Sequence, residues 1–427
     1  MKIKNDGYGK RRKNISNNIN NMRNINEGNG NIKIAEELPE NEYYTDIAYK
    51  FKWAKWLLVI FLLIFIVAQV IMNPKELNAD NLKYLFRYIN IQGSNKSIKT
   101  EFYIELDEAS SICYYKNNIA VLRKNRIDIY DMNGRKNFTH KLIYSNPVVK
   151  ASDKYIIAYD LGMYKMEIFN SFSRVYEYKN QGPVYGAHVT DNGNVVYITS
   201  ENGYKSVVYV LDSGFEDIAV YSFANDYVMG ADIDGKAGKL AVAGFSARNG
   251  DYLSRVILYD TDSEEPVKTI EVHGEQPYGV KLNENGIFAV FENSLRFYDS
   301  DGAGISQYNF AYRKIQAMSL TQELAAIVLN EKTLGTDDRI LVFDGKGGII
   351  YDNISDAQVI DIKFSEDYKF LYYLTRSGLY KIDIEQGISE LAADTGEYDD
   401  TANFIVYAND KNIYLSGLLK INVIGAD

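Results

Sequence analysis

Three histidines and one cysteine are the side chains of this sequence best suited to nucleophilic or general base chemistry: His140, His188, His273 and Cys113. A catalytic triad needs a histidine beside a nucleophile and a carboxylate, but the three histidines fall in different strand-rich segments. No Gly-x-Ser-x-Gly motif is present. Cys113 lies in the apolar run SICYYK and is interpreted as a buried residue. His188 lies in a predicted inner strand and is interpreted as structural, with exposure to a central channel as the alternative. We therefore predict no catalytic residues and a non-enzymatic protein.

Two Asp-x-Asp-Gly segments, Asp232–Gly235 and Asp299–Gly302, resemble the start of a calcium-binding loop. Both lack the third acidic or Asn ligand, the Gly at the sixth position and the Glu at the twelfth. Asp-Gly pairs are also frequent in hairpin turns. We interpret both segments as turns and predict no metal site and no cofactor. A single cysteine also excludes an intrachain disulfide and a cysteine-based metal cluster.

The elements that position these residues are short strands. From Ser97 onward, runs of four to eight strand-forming residues alternate with Gly, Asn and Asp turns. The clearest unit, residues 359–387, shows three strands in succession and a fourth near 389–392. The third strand of most units ends in an aromatic or aliphatic residue followed by Asp, at Tyr130-Asp131, Leu211-Asp212, Tyr259-Asp260, Tyr298-Asp299, Phe343-Asp344 and Ile382-Asp383. A repeat of this kind predicts an all-β propeller.

Eight first strands can be placed, near Ile112, Val148, Val184, Val228, Tyr278, Gln316, Val359 and Phe404. Their spacing of 36 to 50 residues is close to the 40–50 residues of a four-stranded blade. The last unit, 402–424, holds about three strands, while the strand 99–106 remains unassigned at the start of the domain. We predict that this strand completes the last blade, because closure hides both sheet edges. The prediction is eight four-stranded blades, with seven as the alternative.

One apolar stretch, residues 53–72, precedes the strands and carries a single internal charge at Lys55. About 20 residues at about 1.5 Å each cross a hydrocarbon core of about 30 Å. Trp53 and Trp56 fit the interfacial aromatic belt at one end, and Met72 marks the other. Residues 1–55 have a net charge of +4, which leaves −14 for 56–427. An excess of Lys and Arg marks the cytoplasmic side. A cleaved signal peptide is the alternative to a membrane anchor.

The sequence therefore predicts four regions: a disordered cytoplasmic tail (1–52), a transmembrane helix (53–72), a juxtamembrane helix and linker (73–96) and an extracytoplasmic propeller (97–427). The acidic outer domain argues against nucleic acid as a partner. The units resemble the blades of WD-repeat-like, PQQ-like and TolB-like propellers. The whole arrangement also resembles a family of uncharacterised single-span envelope proteins of Gram-positive anaerobes.

Propellers support many unrelated functions, so the function must come from surface residues. The two longest predicted loops within blades, 245–254 and 330–338, should emerge on the same face, and function concentrates on such loops. Arg248, Tyr252, Lys332 and Arg339 are the candidate contact residues. The leading hypothesis is a membrane-anchored interaction scaffold that binds an envelope protein or cell-wall component, with a possible cytosolic partner of the tail. The alternative is a sensor or receptor for a small molecule, glycan or ion.

Overall fold

A computed structural model describes residues 42–72, 101–104, 106, 111–178, 182–248, 250–331, 337–396, 402–409 and 411–425. The chain divides after Met72 into two compact units. The first contains one helix, and the second contains only strands and turns among its described residues. The predicted juxtamembrane helix (73–96) and most of the predicted tail lie outside the described residues.

The helix, α1, runs from Glu42 to Met72. Within it, Tyr49–Ala68 has a mean hydropathy of 2.2 and is long and apolar enough to cross a membrane. Its apolar side chains are exposed on every side, including Trp53 and Trp56. The helix begins well before the predicted span, so residues 42–52, which the sequence assigned to a disordered tail, are helical. No Pro or Gly interrupts EYYTDIAYKFK, and the helix therefore continues N-terminally from the apolar stretch.

The strands form eight antiparallel sheets of four. In chain order, the first strand and those of blades 1 to 4 are β1 (Glu101–Tyr103); β2 (Ser111–Tyr115), β3 (Asn118–Leu122), β4 (Arg126–Asp131), β5 (Lys136–Lys141); β6 (Pro147–Ala151), β7 (Ile156–Asp160), β8 (Met166–Phe169), β9 (Arg174–Glu177); β10 (Gly186–Val189), β11 (Val195–Glu201), β12 (Tyr204–Leu211), β13 (Asp217–Phe223); β14 (Tyr227–Ile233), β15 (Lys239–Arg248), β16 (Asp251–Asp260) and β17 (Lys268–His273).

Blades 5 to 8 contain β18 (Pro277–Asn283), β19 (Gly286–Phe291), β20 (Ser294–Asp299), β21 (Gly304–Asn309); β22 (Ile315–Leu320), β23 (Ala325–Asn330), β24 (Asp338–Phe343), β25 (Ile349–Ser355); β26 (Asp361–Phe364), β27 (Phe370–Leu374), β28 (Gly378–Asp383), β29 (Ile388–Asp394); β30 (Phe404–Ala408), β31 (Asn412–Ser416) and β32 (Lys420–Gly425). The prediction of an all-β propeller with eight four-stranded blades is confirmed, and the seven-blade alternative is excluded.

The ring closes in blade 8, whose strand order is β1-β32-β31-β30. Phe102 of β1 pairs with Ile421 of β32. Beyond the strand, the Ile104 N–H donates to the Leu419 carbonyl at 3.0 Å. The predicted pairing of the N-terminal strand with the last blade is therefore confirmed. Blade 8 is therefore built from both ends of the domain, and β1 covers the edge of β32 that would otherwise be unpaired.

Eight hydrophobic clusters hold the propeller together, and each lies between two neighbouring blades. The second and third strands are buried on both faces, as in the run from Ile156 to Asp160. The fourth strands instead carry mostly exposed and part-buried residues, as β21 does. Each blade thus packs on its neighbours through its middle strands and meets solvent at its outer edge.

The propeller has two faces. The 2–3 face carries the turns between the second and third strands of each blade, and the 1–2 face carries the turns between strands 1 and 2 and between strands 3 and 4. On the 1–2 face, the aspartate that ends the third strand closes the turn. Asp299 Oδ1 accepts the N–H groups of Asp301 and Ala303 at 3.0 and 2.8 Å. The interpretation of Asp299–Gly302 as a turn is confirmed.

Candidate functional site

Blade 4 carries a hairpin that projects from the 2–3 face. β15 and β16 have ten residues each and pair as far as Arg248 and Asp251. The flanking strands stop earlier, because β14 reaches only Phe245 and β17 only Leu253. We name residues 246–253 the projecting hairpin. The prediction that 245–254 is a loop is wrong. Its polar residues lie in two paired strands, and Gly250, with a φ of +87°, allows the tight turn that joins them.

Three aromatic rings form a cluster at the base of the projecting hairpin. Tyr227 and Phe245 have ring centroids 5.9 Å apart, and Phe245 and Tyr252 are 5.8 Å apart. The Lys205 ammonium lies 4.5 Å from the Tyr227 ring centroid. Tyr227 remains 49% exposed. We name these three rings the aromatic cluster, and its geometry is that of a part-exposed contact surface with a cation above it.

Arg255 braces the hairpin from below. Its guanidinium lies 2.6 Å from Asp226 Oδ1 and 3.2 Å from Glu271 Oε1. It also reaches Ser246 Oγ at 3.5 Å. These contacts join β16 to β17, to the residue before β14 and to the hairpin itself. The aromatic cluster is therefore held on a rigid element rather than on a mobile loop.

The other predicted contact residues are placed differently. Arg248 ends β15, where its backbone pairs with Asp251, and Tyr252 belongs to the aromatic cluster. Lys332 lies outside the described residues. Arg339 lies in β24 rather than in a loop, because strand pairing resumes at Asp338. Its Nε and Nη2 donate to the two Asp352 carboxylate oxygens at 2.7 Å each, and this pairing raises the pKa of Arg339. Arg339 therefore forms a bidentate ion pair with Asp352 on the rim of the propeller.

The Arg339–Asp352 pair gives a first prediction. Arg339→Met should lower the free energy of unfolding by no more than about 1 kcal/mol, because both side chains are partly exposed and the pair is screened by solvent. Urea unfolding followed by far-UV circular dichroism measures this. A loss well above that value would show that the pair has a larger structural role.

The 2–3 face exposes many apolar side chains besides the aromatic cluster. They come from the 2–3 turns, the starts of first strands and the ends of fourth strands, and include Ile143, Met163, Tyr164, Tyr185, Tyr204, Met229, Tyr278, Tyr312, Leu418 and Leu419. The 1–2 face instead carries carboxylates in most of its turns. Apolar and aromatic residues concentrated on one face mark an interaction surface.

A second site lies in the central channel, which the first strands line. One position recurs at the same register in every blade: the penultimate residue of the first strand, or the one before it in the longer β18. We name this set the channel ring. In blade order it consists of Tyr114, Lys150, His188, Asp232, Lys281, Ser319, Lys363 and Tyr407.

Asp232 is the only carboxylate of the channel ring and is nearly fully buried. Its Oδ1 lies 3.1 Å from Lys281 Nζ and 3.5 Å from His188 Nε2, and its Oδ2 accepts the Leu282 N–H at 2.9 Å. The interpretation of Asp232 as a turn residue is therefore wrong: it precedes the turn and pairs inside the channel. In the same segment, Asp234 does close the turn by accepting the Gly238 N–H.

Two titratable groups on first strands stay neutral, His188 of the channel ring and Cys113 beside the cluster between blades 1 and 2. Burial lowers the pKa of His188 to about 4, with the cations Lys281 and Lys150 adding to the effect and Asp232 opposing it. Burial also raises the pKa of Cys113 to about 12 against the opposing charge of Lys363. His188 occupies the channel-ring position of β10 and contacts Asp232 there, which agrees with the alternative kept in the sequence analysis. Within the described residues, no three His, Cys, Asp or Glu side chains are grouped to hold a metal ion.

Residues 90–415 match a family described as "Family of unknown function (DUF5711)". None of the curated proteins matches the sequence significantly. Among solved structures, the C-terminal WD40 domain of Sif2 is similar, with a TM-score of 0.54 at 12% identity over 77% of this chain and 99% of that one. Sqt1 of Chaetomium thermophilum, solved with the N-terminus of ribosomal protein L10, has a TM-score of 0.51 at 11% identity over 76% and 98%. At such identities the likeness shows the propeller fold alone.

Proposed function

The chain belongs to the family of unknown function DUF5711. We propose that it is a non-enzymatic, membrane-anchored scaffold. In this proposal α1 spans the cell membrane once with the N-terminus in the cytoplasm. The propeller acts outside, at the cell envelope, where its 2–3 face binds an envelope protein or cell-wall component. The N-terminal tail is available to a cytosolic partner. Arg248, at the end of β15, and Lys332, which follows β23 in the sequence, remain candidate contact residues.

The aromatic cluster on the projecting hairpin carries this proposal. Tyr227 and Tyr252 offer rigid, amphipathic area at low entropic cost, and aromatic residues dominate the energetics of protein interfaces. Arg255 holds the hairpin in place, so little ordering is needed on binding. The same face exposes further tyrosines around the ring, whereas the opposite face is acidic and polar. A protein partner with an apolar, aromatic-binding surface fits this arrangement best.

The membrane part of the proposal has separate support. Tyr49–Ala68 is long and apolar enough to span a bilayer, and its side chains remain exposed along its length. The excess of Lys and Arg before the span favours a cytoplasmic N-terminus.

The second prediction tests partner binding. A Tyr227→Ser, Tyr252→Ser double variant should recover at least about ten-fold less partner than the wild type, because an interface tyrosine contributes about 2 kcal/mol or more. Intact cells are treated with a membrane-impermeant cross-linker, and the tagged full-length chain is then captured. The cross-linker reaches only outer proteins, so the same experiment tests the side on which the propeller acts.

Ile388→Ser is the matched control, because Ile388 is 55% exposed at the start of the fourth strand β29, at the 1–2 end of the rim. It should capture as much partner as the wild type. If the double variant retains its partners, or if a fragment of residues 1–96 recovers the same proteins, the propeller face is not the binding surface.

A sensor or receptor for a small molecule, glycan or ion is the second candidate function. The channel ring favours it, because polar and charged side chains from several blades converge there on one level. In that case the purified chain should bind a ligand without any partner protein.

A further inference from the structure

The start of the apolar span in α1 carries three aromatic rings with a lysine among them. Tyr49, Lys52, Trp53 and Trp56 follow the i, i+3, i+4, i+7 spacing that places side chains on one side of a helix. They line one cavity of about 170 Å³, and the Tyr49 and Trp53 ring centroids lie 6.5 Å apart. The three aromatic residues are 59–62% exposed. We name these four residues the aromatic–lysine face.

A second lysine adjoins this face. Lys55 lies three residues after Lys52, which places it about 60° round the helix and about 4.5 Å further along it. Both lysines are exposed. They lie six and nine residues after Asp46, the last carboxylate before the span, and the next carboxylate in the sequence is Glu76. Since side chains on a helix meet at spacings of three or four residues, neither lysine has a carboxylate within reach on α1.

The two lysines fall at headgroup depth when α1 spans a bilayer, a placement that rests on the proposed function. The 17 residues from Trp56 to Met72 carry no charge. At about 1.5 Å per residue they measure about 25 Å, close to the hydrocarbon thickness of about 30 Å. Trp and Tyr favour the boundary between hydrocarbon and water, and a lysine at that boundary extends its ammonium group towards the headgroups.

Lys52 determines which headgroup fits the face. Aromatic rings alone attract quaternary ammonium groups such as choline, but the ammonium group of Lys52 lies among these rings and repels a cationic headgroup. A phosphate that carries no ammonium group of its own instead gains charge-assisted hydrogen bonds from Lys52 and Lys55. The indole N–H of Trp56, one turn beyond Lys52, is a further donor. The chemistry of the face therefore favours an anionic lipid over a zwitterionic one.

We propose that the aromatic–lysine face and Lys55 bind the phosphate of an anionic phospholipid at the start of the span. The phosphate lies between the two ammonium groups and accepts the Trp56 indole N–H. The rings of Tyr49 and Trp53 pack against the glycerol backbone and the upper part of the acyl chains. A lipid held in this way fixes the depth of α1 in the bilayer and ties the chain to membranes that contain anionic lipid.

The third prediction uses the two tryptophans of the chain, which both lie in the aromatic–lysine face. The full-length chain is reconstituted into phosphatidylcholine vesicles that contain phosphatidylglycerol. One of the two lipids carries brominated acyl chains, which quench the fluorescence of nearby tryptophans. Quenching at matched mole fractions should show that phosphatidylglycerol is preferred over phosphatidylcholine about ten-fold or more, because two lysines near a membrane surface act together.

Three single variants locate the site, and all of them keep both tryptophans. Lys52→Gln and Lys55→Gln should each lower the preference for phosphatidylglycerol about five-fold, the effect of one lysine near a membrane surface. The double variant should show almost no preference. Lys50→Gln is the matched control, because it removes the same charge within the same turn, yet Lys50 lies about 160° from Lys52 round the helix. It should keep the wild-type preference.

Equal quenching of the wild type by brominated phosphatidylglycerol and phosphatidylcholine would overturn the lipid site and leave the membrane span in place. Quenching by neither lipid would show that α1 does not enter the bilayer, and the membrane anchoring in the proposed function would then be wrong as well. Equal losses in all three single variants would indicate diffuse attraction to the surface and would also overturn the site. Excess sodium phosphate should leave the quenching unchanged, and relief of quenching would assign the site to the free ion instead.

Discussion

Asp128→Ala is expected to lower the free energy of unfolding of the propeller by about 3–5 kcal/mol, the effect of removing one partner of a buried ion pair. Asp128 in β4 has a fully buried carboxylate. Its oxygens lie 2.7 Å from Arg123 Nη1, 2.8 Å from Arg126 Nε and 3.3 Å from Lys136 Nζ, and one accepts the Thr139 hydroxyl at 2.7 Å. Without the carboxylate, the nearly buried Arg123 guanidinium loses its counter-charge. Urea unfolding followed by far-UV circular dichroism measures the loss.

The same network predicts a pH dependence. Burial alone would raise the pKa of Asp128, but the hydrogen bonds from Thr139 and Arg126 and the charges of Lys136 and Arg123 outweigh it and lower the pKa. A lowered folded-state pKa means that the stabilisation is complete above the unfolded-state pKa of about 3.9 and is lost as the pH falls through the folded-state value. The difference in stability between the wild type and Asp128→Ala should therefore be constant from about pH 5 to 7 and shrink below about pH 4.

Asp301→Ala is the matched control for Asp128→Ala, because Asp301 has an exposed side chain in a 3–4 turn. Its effect should stay within about 0.5 kcal/mol. If the two variants are equally stable, or if the loss in Asp128→Ala does not change at acid pH, the charge network is not what stabilises blade 1.

Phe102→Ala should lower the free energy of unfolding by a similar amount, about 3–5 kcal/mol, because it leaves a cavity at the ring closure. Phe102 of β1 is 4% exposed and belongs to the cluster that joins blade 8 to blade 1, with Val406 on one side and Ile119 on the other. Gly134 of blade 1 packs so closely that an added Cβ would lie 2.5 Å from the Phe102 Cβ. The surroundings therefore cannot collapse easily into the space that the ring vacates.

Tyr103→Ala is the control for the closing strand, since Tyr103 is the next residue of β1 and faces solvent. Its effect should be within about 0.5 kcal/mol. Both tryptophans lie in α1, so tryptophan fluorescence does not report on the propeller, and circular dichroism must follow unfolding. Equal stability of the Phe102→Ala and wild-type proteins would show that β1 is not needed to close the ring.

The repeat was predictable because turn chemistry and strand pattern agree in most of the blades. Six of the eight predicted first strands fall inside an observed first strand, and Val184 and Val359 lie just before β10 and β26. The aspartates that end third strands, such as Asp299, were visible because the turn needs their side chains. The closing strand was predictable from counting, since a three-stranded last unit leaves an open edge that 99–106 can cover.

The functional surfaces were less predictable. The composition SARNGD around Arg248 is typical of a loop, and the strands continue through it because cross-strand pairing and Gly250 allow a tight turn. Arg339 was taken as a free contact residue at the end of the predicted loop, because its partner Asp352 lies on the next strand and no local sequence signal reveals the pair. The channel ring was hidden because its members are 36 to 49 residues apart. Only the register of the first strands brings Lys150 and Lys363 to one level.

Ring closure also sets an order on the synthesis of this protein. Glu101 and Lys420, which form an ion pair at 2.8 Å, are 319 positions apart. At about 5–20 residues per second, a ribosome takes roughly 16–64 s to make that stretch. Throughout this time β1 has no partner, and the newest blade presents an open edge to other nascent chains. A ribosome that stalls before β32 therefore releases seven blades that cannot close, and such a product is a natural substrate for chaperones and proteases.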